Sequence, residues 1–157
     1  ETGAKTLQKN MTLVGSITYT NEELAFADKI MTEYGMEAKG INGTIQPLEI
    51  TKEDPGTGSS DVGDVSYVVP EISLRATTTP YKSPWHSWVV VACSGMSIGH
   101  KGMLFASKTL GATMVDLFED EELRNEIRDE FLKRKGKEVY KAIIPDGPPP
   151  TLNSIVN

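Results

Sequence analysis

Apolar residues recur every three or four positions near both ends of the chain, and in alternation or unbroken runs between them. Leu7, Met11 and Val14 fall on one face of a helix for which Gly15 is a suitable stop. Residues 20–35 carry the clearest helical signal. Thr20 and Glu23 have the spacing of a capping box, Leu24, Ala27, Met31 and Tyr34 form an apolar stripe, and Gly35 ends it. Beyond residue 97, Met103, Ala106, Leu110, Met114 and Leu117 again repeat at helical spacing. Asp120 then caps a further helix carrying Leu123, Ile127 and Phe131, which stops at Gly136.

The middle of the chain reads differently. Residues 36–63 are rich in Gly, Pro, Thr, Ser and Asp, with a candidate strand in "TIQPLEI" and a long turn-rich loop in "EDPGTGSSDVGD". "VSYVV" and "EISLRAT" predict strands, the latter alternating Ile72, Leu74 and Ala76 with polar neighbours. Pro80 and Pro84 frame a loop that ends at His86. "SWVVVAC" then reads as a strand buried on both faces, as in parallel or mixed sheets. The Pro-rich tail "IIPDGPPPTLN" predicts an extended segment along the surface. The order of elements predicts an α/β protein, a mixed sheet flanked by helices, in a single domain over 1–157. Helices occupy 4–35, loops and strands 36–96, two helices 97–136 and an extended tail 137–157. No internal repeat is visible.

Composition narrows the functional classes. A chain of 157 residues with 38% hydrophobic and 24% charged residues can bury one core. A net charge of -6 argues against a nucleic-acid surface. The densest basic cluster, Lys133, Arg134, Lys135 and Lys137, suits the last turn of a helix. No apolar run approaches membrane-spanning length and no signal peptide is visible, so neither a membrane nor a nucleic acid is expected as partner. The single cysteine cannot form an internal disulfide, and Cys93 reads as a small hydrophobe within an apolar run rather than a reactive thiolate. These features lead to a cytoplasmic expectation. Two sequons, at Asn10 and Asn42, and a first residue that is not Met leave secretion open.

Two features carry candidate chemistry. In "GTGSSDVGDVS", Gly56, Gly58 and Gly63 let the backbone approach a ligand, Ser59 and Ser60 add hydroxyls, and Asp61 and Asp64 add carboxylates. The loop matches neither the Walker nor the dinucleotide fingerprint, and a turn in which Asp and Ser bond their own backbone is the ordinary alternative. The chain has two histidines. His86 precedes a buried segment and could face a cleft as a metal ligand; a hydrogen-bonded structural role is the alternative. His100 falls in the first turn of the long helix, near its positive dipole end, where a hydrogen-bonding or ligand role is open to it; an ordinary structural role is the alternative. Neither H-x-x-x-H nor C-x-x-C occurs, so no self-contained zinc site is visible, and no G-x-S-x-G elbow supports a serine hydrolase.

Taken together, "TNEELAFADKI", "GSSDVGDVSYVVP", "SPWHSWVVVACSGMSIGHKGMLFASKTLGATMVDL" and the Pro-rich tail resemble the C-terminal part of the aminobenzoyl-glutamate branch of the aminoacylase/carboxypeptidase family of metal-dependent amidohydrolases. The likeness runs from about Leu7 almost to the end, and "DVGDVS", "H-x-W" and "IGHKGM" are its more specific parts. It implies the C-terminal portion of a zinc-exopeptidase-like catalytic domain, with the inserted lid domain absent. It implies two divalent metal ions, zinc or manganese, in a full-length parent, activating water to cleave the amide of an N-acyl amino acid or aminobenzoyl-glutamate-type small molecule. His86 matches a late metal ligand of the family. Ser60, Asp61 and Asp64 match a loop bordering the active site, and His100 a substrate-side position.

The remaining ligands of that family, and its general-base glutamate, have no counterpart in this sequence. The expectation is therefore a partial catalytic domain, inactive alone, whose missing N-terminal half or homo-oligomeric partner completes the site. A non-catalytic binding or assembly module derived from the same fold is the alternative.

Overall fold

The computed structural model describes residues 1–49, 60–142, 144, 147–149 and 151. Six helices succeed one another: α1 (Thr2–Val14), α2 (Asn21–Glu33), α3 (Val62–Ser66), α4 (Trp88–Ser94), α5 (Ser97–Glu119) and α6 (Glu121–Lys135). Among the described residues there is no strand and no sheet. The expected mixed α/β sheet, and the zinc-exopeptidase-like architecture with it, is therefore corrected to a helical one.

Each misread strand has a physical account. "SWVVVAC" forms α4 after Ser87, burying Val89 and Cys93 four residues apart while Val91 stays 73% exposed. A strand needs a neighbour to accept its N–H groups, and among the described residues no extended segment pairs with this one, so the backbone satisfies itself within a helical turn. In "VSYVV", Val65 and Ser66 lie in α3, and Tyr67, Val68 and Val69 follow it in turns, exposed. "EISLRAT" does run extended, with Ile72, Leu74 and Ala76 half-buried, but it joins no ladder. In "TIQPLEI", residues 44–49 carry no strand and residue 50 lies outside the described residues.

The helical signals near the ends hold. Gly15, at φ 85°, ends α1. Thr20 and Glu23 make the capping box of α2 reciprocally: Glu23 N–H donates to Thr20 Oγ1 at 3.2 Å, and Thr20 N–H to Glu23 Oε2 at 2.7 Å. The buried face of α2 is Glu23, Ala27, Ile30 and Met31, which leaves Leu24 and Tyr34 at the surface. Asp120 caps α6 by accepting from Leu123 N–H at 2.9 Å.

The small core gathers Ile30, Met31, Val89 and Cys93, with Phe26 against it. α1 lies along α5, and α6 also meets α1. The face of α5 that packs inward is Ile98, Gly99, Gly102, Phe105, Thr109 and Thr113. Small residues permit close approach there, and the Thr109 and Thr113 hydroxyls are absorbed by the carbonyls one turn back, Phe105 and Thr109, each at 2.9 Å. Met103, Leu110 and Met114 of the predicted stripe face outward instead. Among the described residues no single helix is long and apolar enough to cross a membrane; α4 and α5 are bent by 69° at their junction.

Candidate functional site

The segment from Pro80 to His100 positions both histidines. Ser83 Oγ donates to Pro80 O at 2.8 Å and Ser87 Oγ to Pro84 O at 2.7 Å, closing two successive turns. Between them the backbone enters the left-handed region at Lys82 (φ 60°) and at His86 (φ 61°). That conformation costs a non-glycine residue energy and is tolerated better by His than by most. His86 is exposed, immediately before the N-cap of α4. His100 is exposed in the first turn of α5, its N–H donating to Met96 O at 3.0 Å. α4 and a short turn separate the two histidines along the chain.

Ser60, Asp61 and Asp64 are exposed at the start of α3. The Asp61 carbonyl accepts from Asp64 N–H at 3.1 Å and from Val65 N–H at 3.3 Å. Tyr140 Oη donates to Asp64 Oδ1 at 2.9 Å, and that bond to the carboxylate pushes the phenol pKa up. Asp64 is thus tied to the segment after α6, where the Tyr67 and Tyr140 rings lie 6.0 Å apart. Gly56, Gly58 and Ser59 of the same loop lie outside the described residues.

Among the described residues, no group of three or more His, Cys, Asp or Glu is placed to hold a metal ion. A structural zinc needs four donors and a catalytic one three from protein. The described residues therefore do not make a complete donor set for the metal pair that the sequence resemblance implies.

Two arrangements lie outside the sequence expectations. A groove of about 710 Å³ runs between α1 and the 72–85 segment, lined by Leu7, Met11, Phe105, Arg75, Tyr81 and Trp85. Tyr81 and Trp85 give it aromatic groups and Arg75 a cation. The signal in the sequence is Trp85 of "SPWHSW", a large aromatic at a loop, 77% exposed. The second is the near-buried Glu23, whose carboxylate takes the Lys101 ammonium at 2.5 Å. Lys101 also donates to Thr18 O at 2.9 Å and stands 5.6 Å from the Tyr19 ring centre. Burial, helped by Glu23, pushes the Tyr19 hydroxyl up to about 12.

The candidate residues thus belong to a chain similar to part of a hydrolase. The relative is one of the subunits of the p-aminobenzoyl-glutamate hydrolase of Escherichia coli (strain K12), 38% identical over 161 aligned positions covering 87% of this chain and 34% of the relative. The resemblance read from "DVGDVS", "H-x-W" and "IGHKGM" is borne out by that likeness. The chain spans about a third of the relative's length. No family profile matches the chain, and no solved structure matches it.

Proposed function

We propose that this chain is part of a metal-dependent amidohydrolase whose substrate is an aminobenzoyl-glutamate-type or other N-acyl amino acid amide. The observation that carries the reading is the 38% identity, across most of the chain, to a component of p-aminobenzoyl-glutamate hydrolase. In this reading His86 is the one metal ligand that the chain contributes, to a site of two zinc or manganese ions. His100, Ser60, Asp61 and Asp64 face the substrate. The other ligands come from elsewhere in the parent protein or from a partner subunit, and the parent cleaves the amide with metal-activated water in the cytoplasm. The chain alone is inactive.

The incomplete donor set among the described residues supports a dependent half-site, and it also supports a second reading, a binding or assembly module that does no chemistry. Calorimetric titration of the chain with manganese and with zinc, beside His86→Ala, separates the two. Weak binding that disappears in the variant is the result expected of a half-site. Binding indifferent to the substitution, or none, would leave the module. Tight binding of two metals, or release of p-aminobenzoate and glutamate from p-aminobenzoyl-glutamate by the chain alone, would sink the claim that it is inactive by itself.

A further inference from the structure

The outward face of α5 is apolar along most of its length. Met103, Leu104, Leu110, Met114, Val115 and Phe118 are between 44% and 78% exposed. Met103 to Phe118 is a stripe of about 22 Å at 1.5 Å rise per residue. Ser107 is the one polar residue within it. Exposed apolar surface of this extent, continuous along one helix, marks an interaction site rather than ordinary surface. α1 lies along the opposite, inward face, α6 meets α5 only near its end, where Arg124 donates to Leu117 O and Phe118 O, and the 72–78 segment borders Met103 and Leu110, yet the side chains of the stripe stay exposed.

Two further observations say what covers it. The first is Gly111. Gly99 and Gly102 are required by the chain itself, since a Cβ would meet Ser94 Cα at 2.6 Å and Thr77 O at 2.4 Å respectively. A Cβ on Gly111 would meet nothing within 4 Å. A mid-helix glycine costs about 1 kcal/mol relative to Ala, and nothing among the described residues repays that cost. Gly111 lies within a residue of the midpoint of the Met103–Phe118 stripe, with Ser107 one turn before it. Small residues at the centre of an apolar face let a second helix approach closely there.

The second observation is charge. On a helical wheel the charges flanking the stripe, Lys101, Lys108 and Glu119, share one edge. Lys101 is engaged by Glu23, whereas Lys108 and Glu119 make no ion pair among the described residues. Cation before anion is the wrong order for the helix's own dipole. It is the right order for an antiparallel copy, in which like edges face each other and Lys108 comes within reach of the second copy's Glu119.

We propose that the outward face of α5 is a self-association surface on which two copies of this chain pair their α5 helices antiparallel, about a two-fold axis close to Gly111. An isologous contact of this kind is closed and self-complementary. It invokes neither histidine, so its test and the metal titration of the hydrolase reading fail separately.

Sedimentation velocity on the full chain at about 100 µM, a concentration that populates a micromolar dimer, gives a dimer. Leu110→Glu together with Met114→Glu yields a monomer with unchanged helical circular dichroism. Lys108→Glu weakens the dimer by about tenfold, and adding Glu119→Lys restores it, as expected for two symmetry-related charge contacts at the edge of the interface. Gly111→Cys cross-links to itself under mild oxidation, while Met103→Cys cross-links only in a mixture with Phe118→Cys. A monomeric parent chain would overturn the proposal. So would a dimer indifferent to the Leu110 and Met114 changes, self-cross-linking at Met103 as efficient as at Gly111, or a monomer that instead binds phosphatidylcholine vesicles through this face.

Discussion

The Lys101 ammonium meets the Glu23 carboxylate at 2.5 Å across 78 residues of sequence. Glu23 already closes the capping box of α2, so one carboxylate fastens the start of α2 to the first turn of α5. Removing Lys101 leaves a near-buried carboxylate without its cation, and charged hydrogen bonds of this kind are worth about 1.5–3 kcal/mol. Lys101→Met is expected to lower unfolding free energy by about 2 kcal/mol in urea denaturation. Glu23→Gln with Lys101→Met should cost less than the sum of the single changes. Strict additivity in that double-mutant cycle would show that the pair is not coupled.

The same carboxylate sets an acid limit. The Lys101 ammonium, with the Ser97 hydroxyl and the Thr20 N–H, holds Glu23 down from 4.5 to about 2. Its folded pKa lies below its unfolded one, so its contribution is complete above about 4.5 and is lost as pH falls toward about 2. Asp116, beside Lys9, and Glu130, beside the N-terminal amine, are shifted in the same direction. Stability measured by urea at successive pH values should fall through this window, with a shallower slope in Glu23→Gln. An unchanged slope would mean that other carboxylates carry the acid response.

How far the sequence disclosed the fold follows from how local each feature is. The capping box of α2 needs only Thr20 and Glu23 and was legible without any tertiary knowledge. The run around Val89–Val91 was not, because an unbroken apolar run has no periodicity to separate a buried strand from a buried helix. α5 was legible as a helix, but periodicity could not say which face packs, and Gly102, Thr109 and Thr113 took the inside. The histidines and the aspartates stood out by residue type and through the sequence resemblance. The Arg75–Trp85 groove did not, because it depends on α1 meeting a segment some 70 residues away.

Asn10 is 1% exposed, and its amide donates to Thr113 Oγ1 at 3.1 Å and to Asp116 Oδ2 at 2.7 Å. The sequon at Asn10 is therefore closed to glycosylation in the folded chain, whereas Asn42, exposed, accepts from Thr44 N–H and hydroxyl in a local turn. Asn10→Asp keeps the shape but sets a carboxylate against Asp116. Its folded pKa is then raised, so stability is retained in acid and lost as pH rises through the carboxylate range. The variant should match the parent near pH 3 and fall about 2 kcal/mol below it at pH 7. A loss independent of pH would point to packing rather than charge.

Cys93 is wholly buried in the core with Ile30, Met31 and Val89, and burial pushes its thiol pKa up. Thiolate is the reactive form, so the native chain should resist a disulfide reagent and react at the rate of local opening. Cys93 should become fully reactive in 6–8 M urea, roughly the range in which such domains unfold. Rapid labelling of the native protein would show that α4 does not hold Cys93 inside.

Three glycines of α5 should respond differently to a methyl group, and this contrast tests the helix placement most directly. An added Cβ at Gly102 would meet Thr77 O at 2.4 Å, and one at Gly99 would meet Ser94 Cα at 2.6 Å. Both obstacles are backbone, which cannot swing aside as a long side chain would. Gly102→Ala and Gly99→Ala should each destabilise by about 1–3 kcal/mol, the usual cost of overpacking. Gly111→Ala meets nothing among the described residues and gains helix propensity, so at concentrations too low for pairing it should stabilise by about 0.5–1 kcal/mol. At high concentration the same methyl sits where two α5 helices approach most closely, and it should weaken the pair. Opposite signs for Gly102→Ala and Gly111→Ala by thermal denaturation would place the inward and outward faces of α5 as described. Equal signs would mean that the helix is rotated about its axis.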